Sequence, residues 1–215
     1  MDIFDRCPLM WEGGYTFPPA SYISFIKNLK SWSNEKEPIY AIALTAGVKE
    51  TLSKVHAHVN KNILYEKEAV DNWKIHKLSE PGIHVGDCDD YAVTKQYILI
   101  KEHKFPKSAL RLVYCSRHLR SDYHMVLAVD TDKGTFILDN ISHIVAPWSW
   151  FPYKWISREY PGSIFWKKIK TLAESDRLTK QYMFPNDVLS YTIITNNTPN
   201  PTRPIDVTVP KRIDI

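Results

Sequence analysis

Apolar residues recur at helical spacing three times in the first half of the chain. The stripe over residues 20–32 consists of Tyr22, Ile23, Phe25, Ile26, Leu29 and Trp32, and the stripe over 46–63 of Val48, Leu52, Val55, Val59 and Ile63. A third run, residues 87–103, contains no Gly or Pro and stops just before Pro106. Repetition every three to four residues is typical of amphipathic helices, so the pattern predicts three helices before residue 104.

The period changes to that of β-strands after Pro106. Residues 110–114, 123–129 and 135–138 are each predicted to form a strand, and a turn-rich stretch from Asp130 to Gly134 joins the last two. If residues 130–133 form the loop of this hairpin, paired residue numbers sum to 263. His124 then lies opposite Asp139 on the same face, whereas an odd change of register would separate them.

Residues 64–85 lack a clear period and form a predicted loop that leads into the third helix. Trp73 and His84 lie in this loop and are candidates for lining a cleft, although core packing explains Trp73 equally well. His56 and His58 fall within the second helix and are interpreted as ordinary residues of its surface.

Length and composition describe one globular domain with a tail. The 215 residues are 44% hydrophobic and 13% aromatic, which is enough to bury a sizeable core. Beyond Asn196 the chain is dominated by Thr, Pro and Asn. We therefore predict a domain over residues 1–195 and an extended tail over 196–215.

Charge and hydrophobicity argue against nucleic acid and a membrane span, respectively. The 28 basic and 24 acidic residues are mixed along the chain and leave a net charge of only +4, so nucleic acid is not an expected partner. No stretch approaches 18 apolar residues, and the first six residues lack the features of a signal peptide. We expect no membrane span and a cytoplasmic location by default, or a periplasmic one if a leader was removed. Nothing in the sequence predicts the oligomeric state.

One of the three cysteines stands at a helix start. Cys7, Cys88 and Cys115 are odd in number and have no disulfide-framework spacing. Asp87 suits the N-cap of the third helix and Asp90 the distal position of a capping box, which makes Cys88 the first helical residue. Free backbone N–H groups and the helix dipole there favour a thiolate. The plainer alternative is a small buried residue after a well-capped helix start.

Negative charge opposes the thiolate. Asp87, Asp89 and Asp90 surround Cys88 in sequence, and like charges raise the pKa of a thiol. A bound hard cation would cancel most of that charge, because carboxylate oxygens are the ligands that Ca²⁺ prefers. In the alternative, Asp87 only caps the helix and Asp89 is solvated.

Cys88, His124 and Asp139 follow one another in the order of a nucleophile, a base and an orienting carboxylate. In such a triad the thiolate attacks an acyl carbon, the imidazole moves the proton, and the carboxylate fixes the imidazole tautomer. The backbone N–H of Cys88 is a candidate oxyanion donor.

The sequence around these residues resembles the bacterial transglutaminase-like cysteine proteinases over roughly residues 20–166. The ordered motifs are Gly86-Asp87-Cys88-Asp89-Asp90-Tyr91-Ala92, Leu110-Arg111-Leu112-Val113, His124-Met125-Val126-Leu127, Leu138-Asp139-Asn140, and Pro147-Trp148 through Tyr153-Lys154-Trp155-Ile156-Ser157-Arg158. The resemblance implies an α+β, papain-like core of the transglutaminase-like type. The helix that bears the Cys would pack on an antiparallel sheet that bears the His and Asp.

The resemblance also implies an activity and a metal. Its best-known members are periplasmic, calcium-dependent proteases that release biofilm adhesins. By this resemblance Cys88, His124 and Asp139 form the triad, and Asp87 and Asp89 occupy the positions of calcium ligands, where the family commonly has Glu in place of Asp89. The expected function is thiol-protease hydrolysis of a peptide bond in a protein or peptide substrate, through a thioester.

Three alternatives remain open at this stage. Transglutaminase or amidase chemistry would use the same acyl-enzyme, and a peptide-binding module could keep the fold without catalysis. A zinc site built from Cys115, His118 and His124, with help from Cys88, is a third possibility, although its short spacing lacks a second ligand pair.

Overall fold

A computed structural model describes residues 7–29, 40–117, 123–183 and 192–194. The elements up to the cysteine are β1 (Glu12–Thr16), α1 (Ala20–Asn28), β2 (Tyr40–Ile42), α2 (Ala46–Asn62), β3 (Ile63–Tyr65), β4 (His84–Gly86) and α3 (Cys88–Lys101). Those that follow are β5 (Leu110–Arg117), β6 (Tyr123–Thr131), β7 (Gly134–Leu138), β8 (Ala146–Pro147), β9 (Tyr153–Arg158), β10 (Trp166–Ile169), α4 (Leu172–Met183) and β11 (Thr192–Ile194). Short 3₁₀ turns occupy Lys107–Ala109 and Trp148–Trp150.

The main sheet has the strand order β1-β10-β9-β5-β6-β2-β11, with β7 paired to β6 and β8 paired to β7. Its pairs are antiparallel except at β2, which runs parallel to both β6 and β11. Helix α3 packs against β5 and β6 on one side and against α2 on the other. The predicted α+β class, with the cysteine helix on an antiparallel sheet, is confirmed. The sequence pattern did not predict the small parallel pair of β3 and β4.

All three predicted helices are present. Helix α2 begins after Thr45, whose hydroxyl accepts a hydrogen bond from the N–H of Val48, and its predicted apolar stripe is buried. Helix α1 ends at Asn28, four residues before the predicted end at Trp32, which lies outside the described residues. The predicted boundary at residue 195 and the tail beyond it also lie outside the described ranges.

The β6–β7 hairpin is tighter than predicted. Thr131 pairs with Gly134, so paired residue numbers sum to 265 and only two residues form the loop. Asp130 and Thr131 extend the strand because their side chains bond within it: the Thr135 hydroxyl donates to Asp130 at 2.7 Å, and the Thr131 hydroxyl donates to the Gly134 carbonyl at 2.8 Å. The register therefore shifts by two residues, an even number, and the side chains keep their predicted faces.

Buried ion pairs link β1, β5, β6 and β9. Arg158 donates to both carboxylate oxygens of Asp130 at 3.0 Å and to Oε1 of Glu12 at 3.0 Å. Arg111 also donates to Oε1 of Glu12, at 3.2 Å. Removing one member of such a network leaves an unpaired buried charge, so the network constrains how the strands pack.

Trp73 belongs to the core. Its side chain is 6% exposed and packs against Tyr22 and Phe25 of α1, with ring centroids 5.6 and 5.7 Å apart. The packing alternative for this residue is therefore confirmed. Among the described residues, no helix is both long and apolar enough to cross a membrane.

His56 is buried against the turn that follows β7, whereas the sequence suggested a residue of the helix surface. Its Nε2 lies 3.1 Å from the carbonyl oxygen of Ser142, and Asn60 of the same helix donates to the carbonyl oxygens of Asp139 and Ser142 at 3.1 Å. Burial, and to a lesser extent the charge of Lys95, lowers the pKa of His56 to about 4. Helix α2 thus fixes the turn that contains Asp139.

We expect His56 to make the protein sensitive to acid. Between its ordinary pKa of 6.5 and the folded value of about 4, the unfolded chain binds this proton and the folded chain does not. The free energy of unfolding should therefore fall as the pH falls through this window, by up to about 3 kcal/mol from this group. Urea denaturation at several pH values should show a shallower loss for His56→Gln, and no such change for His58→Gln on the exposed face of α2. Equal slopes for wild type and His56→Gln would refute this account.

Candidate active site

The start of α3 is built as the sequence predicted. Asp87 is the N-cap residue, Cys88 is the first helical residue, and Asp87 and Asp90 form a capping box in which the Asp90 carboxylate accepts the Asp87 backbone N–H at 3.3 Å. Asp90 is completely buried and also accepts the backbone N–H of Lys74 at 2.7 Å. His76 Nε2 lies 3.8 Å from the same carboxylate. One carboxylate therefore fixes both the helix start and the loop before β4.

Gly86 makes this arrangement possible because no other side chain fits beside Asp90. A Cβ atom at position 86 would overlap both the carboxylate and the Cβ of Asp90. The glycine that precedes the cysteine in the motif is thus required by close approach. His84, two residues earlier, packs edge to face against His76 with ring centroids 5.4 Å apart.

The Cys88 thiol lies beside β6. A backbone hydrogen bond from Met125, the neighbour of His124, lowers its pKa, but burial raises it more, and the charges of Asp89, Asp87 and Asp139 add to this. The net result is a pKa of about 12. The helix N-terminus alone therefore does not produce a thiolate, contrary to the simplest expectation from the sequence.

His124 and Asp139 are in direct contact. Nε2 of His124 lies 2.8 Å from Oδ1 of Asp139, and the side chains are 4% and 0% exposed. The Asp139 carboxylate also accepts the Tyr153 hydroxyl at 2.6 Å and the Ile141 N–H at 3.0 Å. Burial alone would raise the pKa of Asp139, but these three donors hold it below its ordinary value. The carboxylate binds the Nε2 side of the ring, so Nδ1 is the nitrogen that remains for a reacting group.

Tyr153 was not recognised as a site residue from sequence. It stands in a run of Trp, Tyr, Phe and Pro over residues 147–155, where nothing distinguishes it from its neighbours. Its strand, β9, pairs with β5 and β10, and not with β6, which carries His124, or with β7, which precedes Asp139. Only the three-dimensional arrangement brings its hydroxyl to the carboxylate.

The acidic residues around Cys88 form a possible cation site. One ligand atom each from Asp87, Cys88 and Asp89 lies within 4.8 Å of the other two. Oδ1 of Asp87 and Oδ2 of Asp89 are buried without a hydrogen-bond partner in the described part of the chain. Asp89 is only 5% exposed, so the alternative of a solvated Asp89 is wrong. Burial, followed by the hydrogen bond and charge of Asp87, holds the pKa of Asp89 well above its ordinary value.

The proposed zinc ligands do not assemble in the described residues. The Cys115 side chain is 0% exposed, and its thiol donates to the backbone carbonyl of His124 at 3.5 Å. Over the described ranges, the group at Asp87, Cys88 and Asp89 is the cluster with suitable ligand spacing. His118 lies outside the described residues.

The sequence profile of the family described as bacterial transglutaminase-like cysteine proteinase BTLCP matches residues 12–174. The chain belongs to this family. It is therefore a cysteine peptidase of the transglutaminase-like type. The match contains Cys88, His124, Asp139 and the two aspartates beside the cysteine.

Solved structures of LapG from Legionella pneumophila are similar to this proteinase. The calcium-bound LapG structure shares 25% sequence identity, with a TM-score of 0.49, over 62% of this chain and 80% of that chain. The EGTA-treated structure shares 26% identity, with a TM-score of 0.49, over 62% and 78%. A comparison with curated protein sequences gave no match.

We expect Gly86→Ala to disrupt the start of α3. The added methyl group must displace the buried Asp90 carboxylate, which should lower the free energy of unfolding by about 1–3 kcal/mol and disturb the site around Cys88. Denaturant unfolding measures the first effect, and the rate of Cys88 alkylation in the folded protein measures the second. Gly14→Ala is a matched control, because a Cβ there meets nothing within 4 Å. Wild-type stability in Gly86→Ala would contradict the close approach.

Proposed function

We propose that this proteinase hydrolyses a peptide bond with Cys88 as the nucleophile, His124 as the general base and acid, and Asp139 as the group that orients His124. The observation that carries the proposal is the 2.8 Å contact between Nε2 of His124 and Oδ1 of Asp139. His124 lies on β6, and the next residue of that strand, Met125, makes a backbone hydrogen bond to the Cys88 thiol. An Asp that binds one ring nitrogen fixes the tautomer and directs the other nitrogen towards the nucleophile.

The reaction proceeds in two halves. Nδ1 of His124 accepts the thiol proton as the sulfur of Cys88 attacks the substrate carbonyl carbon, and the imidazolium then protonates the leaving amine. The resulting thioester is cleaved by water, which gives one proton to His124, and that proton returns to the sulfur. Asp139 stays ionised throughout, because three hydrogen bonds stabilise its carboxylate.

The start of α3 supplies an oxyanion donor. The first backbone N–H groups of a helix have no partner within the helix, and that of Cys88 adjoins its own sulfur. A donor in this position stabilises negative charge on the carbonyl oxygen as the tetrahedral intermediate forms.

A calcium ion fits the acidic group beside the nucleophile. Asp87 and Asp89 each hold a buried oxygen without a hydrogen-bond partner in the described residues, and oxygen ligands of this kind suit Ca²⁺. Asp71, in the loop before β4, is near enough for its charge to act on Asp89. A bound cation would supply positive charge that offsets these carboxylates, and so would remove a large part of the opposition to a Cys88 thiolate.

An extended polypeptide is the substrate that the surroundings favour. Tyr123, which precedes His124, is 64% exposed, and Ile141, whose N–H bonds Asp139, is 47% exposed. The Tyr123 ring stacks on that of Tyr114 with centroids 4.9 Å apart. Exposed apolar side chains beside a reactive centre can bind the side chains of a peptide.

We expect Cys88→Ala to remove turnover without unfolding the protein, with a loss of at least about 10³-fold in kcat/KM. The Cys7→Ser variant should remain active, because Cys7 is buried at the β7 edge, where its thiol donates to the Thr135 carbonyl at 3.0 Å. In the assay, each protein is incubated with an extract of the cells in which it occurs, with and without an amine donor. Mass spectrometry then identifies new termini and cross-links. New N-termini support the peptidase, and amine incorporation without them would support acyl transfer. Products that persist in Cys88→Ala would assign the nucleophile elsewhere.

We expect calcium to stabilise the folded protein. A ligand that binds only the folded state at 100 times its Kd adds about 2.7 kcal/mol, which for a domain of this size raises the Tm by about 5–10 °C. Thermal unfolding with calcium and with a chelator measures the shift, which should disappear in Asp87→Asn and Asp89→Asn. Asp176→Asn is the control, since Asp176 pairs with Lys180 on α4, outside the acidic group. A Tm unchanged by calcium would refute the site.

A further inference from the structure

Lys95 is a buried lysine in the middle of α3. It is 0% exposed, and its Nζ has no hydrogen-bond acceptor among the described residues. The polar side chains beside it do have partners: Thr94 accepts the backbone N–H of His76 at 3.0 Å, and Gln96 donates to the Leu110 carbonyl at 2.9 Å. Lys95 follows Cys88 by seven residues, which is two helical turns and places both on the same face of α3.

The titratable groups that face Lys95 come from three elements. Asp139 follows β7, His56 comes from α2, and the Tyr91 ring of α3 lies 5.8 Å from Nζ. Burial lowers the pKa of Lys95 to about 7, and the charge of Asp139 opposes that shift. The charge of Lys95 in turn lowers the pKa of His56. The charge of Asp139 therefore acts on both Cys88 and Lys95.

Packing does not explain a lysine at this position. Burial of an ammonium group costs several kcal/mol unless charge or hydrogen bonds compensate it. The buried neighbours Val93 and Leu99 show that α3 packs apolar side chains at such sites. A methionine has a similar length and no charge, so it would satisfy the packing at lower cost.

The function of Lys95 follows from its electrostatic interaction with Asp139. Of the three groups that donate to this carboxylate, only His124 can carry a positive charge, and in the proposed reaction His124 alternates between its charged and neutral forms. We propose that Lys95 is a positioning residue whose buried ammonium group acts on the Asp139–His124 pair and opposes a second positive charge on the His124 ring. This inference rests on the proposed function for its role in catalysis, but the electrostatic coupling can be measured without turnover.

The experiment measures the pH midpoint of the His124 ring by NMR, in the full-length protein with calcium present. A Cys88→Ser background prevents the thiol from titrating together with the ring, and His124→Gln assigns the signal. Removal of a nearby positive charge favours the imidazolium, so Lys95→Met should raise the midpoint by about one pH unit. Lys101→Met removes a charge from the exposed end of the same helix and should leave the midpoint unchanged.

The thermal midpoint provides the second measurement. Lys95→Met should raise it, since the cost of the buried ammonium group disappears, and in the Cys88 enzyme the same change should lower kcat/KM. An unchanged His124 midpoint in Lys95→Met would overturn the proposal, whatever its stability. If Lys95→Met fails to fold, Lys95→Gln provides the same comparison.

The two proposals can fail separately. A raised His124 midpoint in a protein that cleaves no peptide bond would support the coupling and refute the proposed peptidase chemistry. An unmoved midpoint in an active peptidase would refute the coupling alone.

Discussion

The buried carboxylate of Asp139 is the point at which four parts of the fold meet. His124 reaches it from β6, Tyr153 from β9 and the Ile141 N–H from its own turn, while Asn60 of α2 holds its backbone carbonyl. A carboxylate with no exposure is stable as an anion only if its lone pairs are occupied. The strand order, the β6–β7 register and the packing of α2 must therefore all be correct before this charge can be buried.

The start of α3 presents a second problem of negative charge. The Asp90 carboxylate finds its hydrogen-bond donors within the protein, because it accepts the backbone N–H groups of Asp87 and Lys74. Asp87 and Asp89 have oxygens that the described residues leave without partners. Consecutive residues at a helix start project in different directions, so one of the three carboxylates can serve the fold while the other two lie beside the Cys88 sulfur. This division explains how one short motif both begins a helix and forms a possible cation site.

Local features were predictable from the sequence because they depend on neighbours along the chain. The helix start at Asp87, the stripe on α2 and the strands around His124 follow from side-chain periodicity and capping, and the structure confirms them. The hairpin loop was predicted two residues too long, because the turn-forming residues Asp130 and Thr131 are held in the strand by bonds across the hairpin and, for Asp130, by Arg158 from β9. Tyr153 and Asn60 were missed because strand order and helix packing bring each to Asp139. The resemblance of the motifs to a family gave the overall fold, which periodicity alone could not.

The buried cations of this protein fall into two kinds, and the contrast helps to interpret Lys95. Arg111 and Arg158 are nearly inaccessible, yet Glu12 and Asp130 lie within 3.2 Å of them, so their charges are compensated by direct contacts. Such pairs constrain strand packing and need no further role. Lys95 has no such contact among the described residues and responds to the charge of Asp139 across a gap. A cation without a direct partner contributes little to packing, but its field extends over several ångströms in a medium of low dielectric. Lys95 lies on the face of α3 that also carries Cys88 and interacts with the charge of Asp139, so its field acts within the candidate active site.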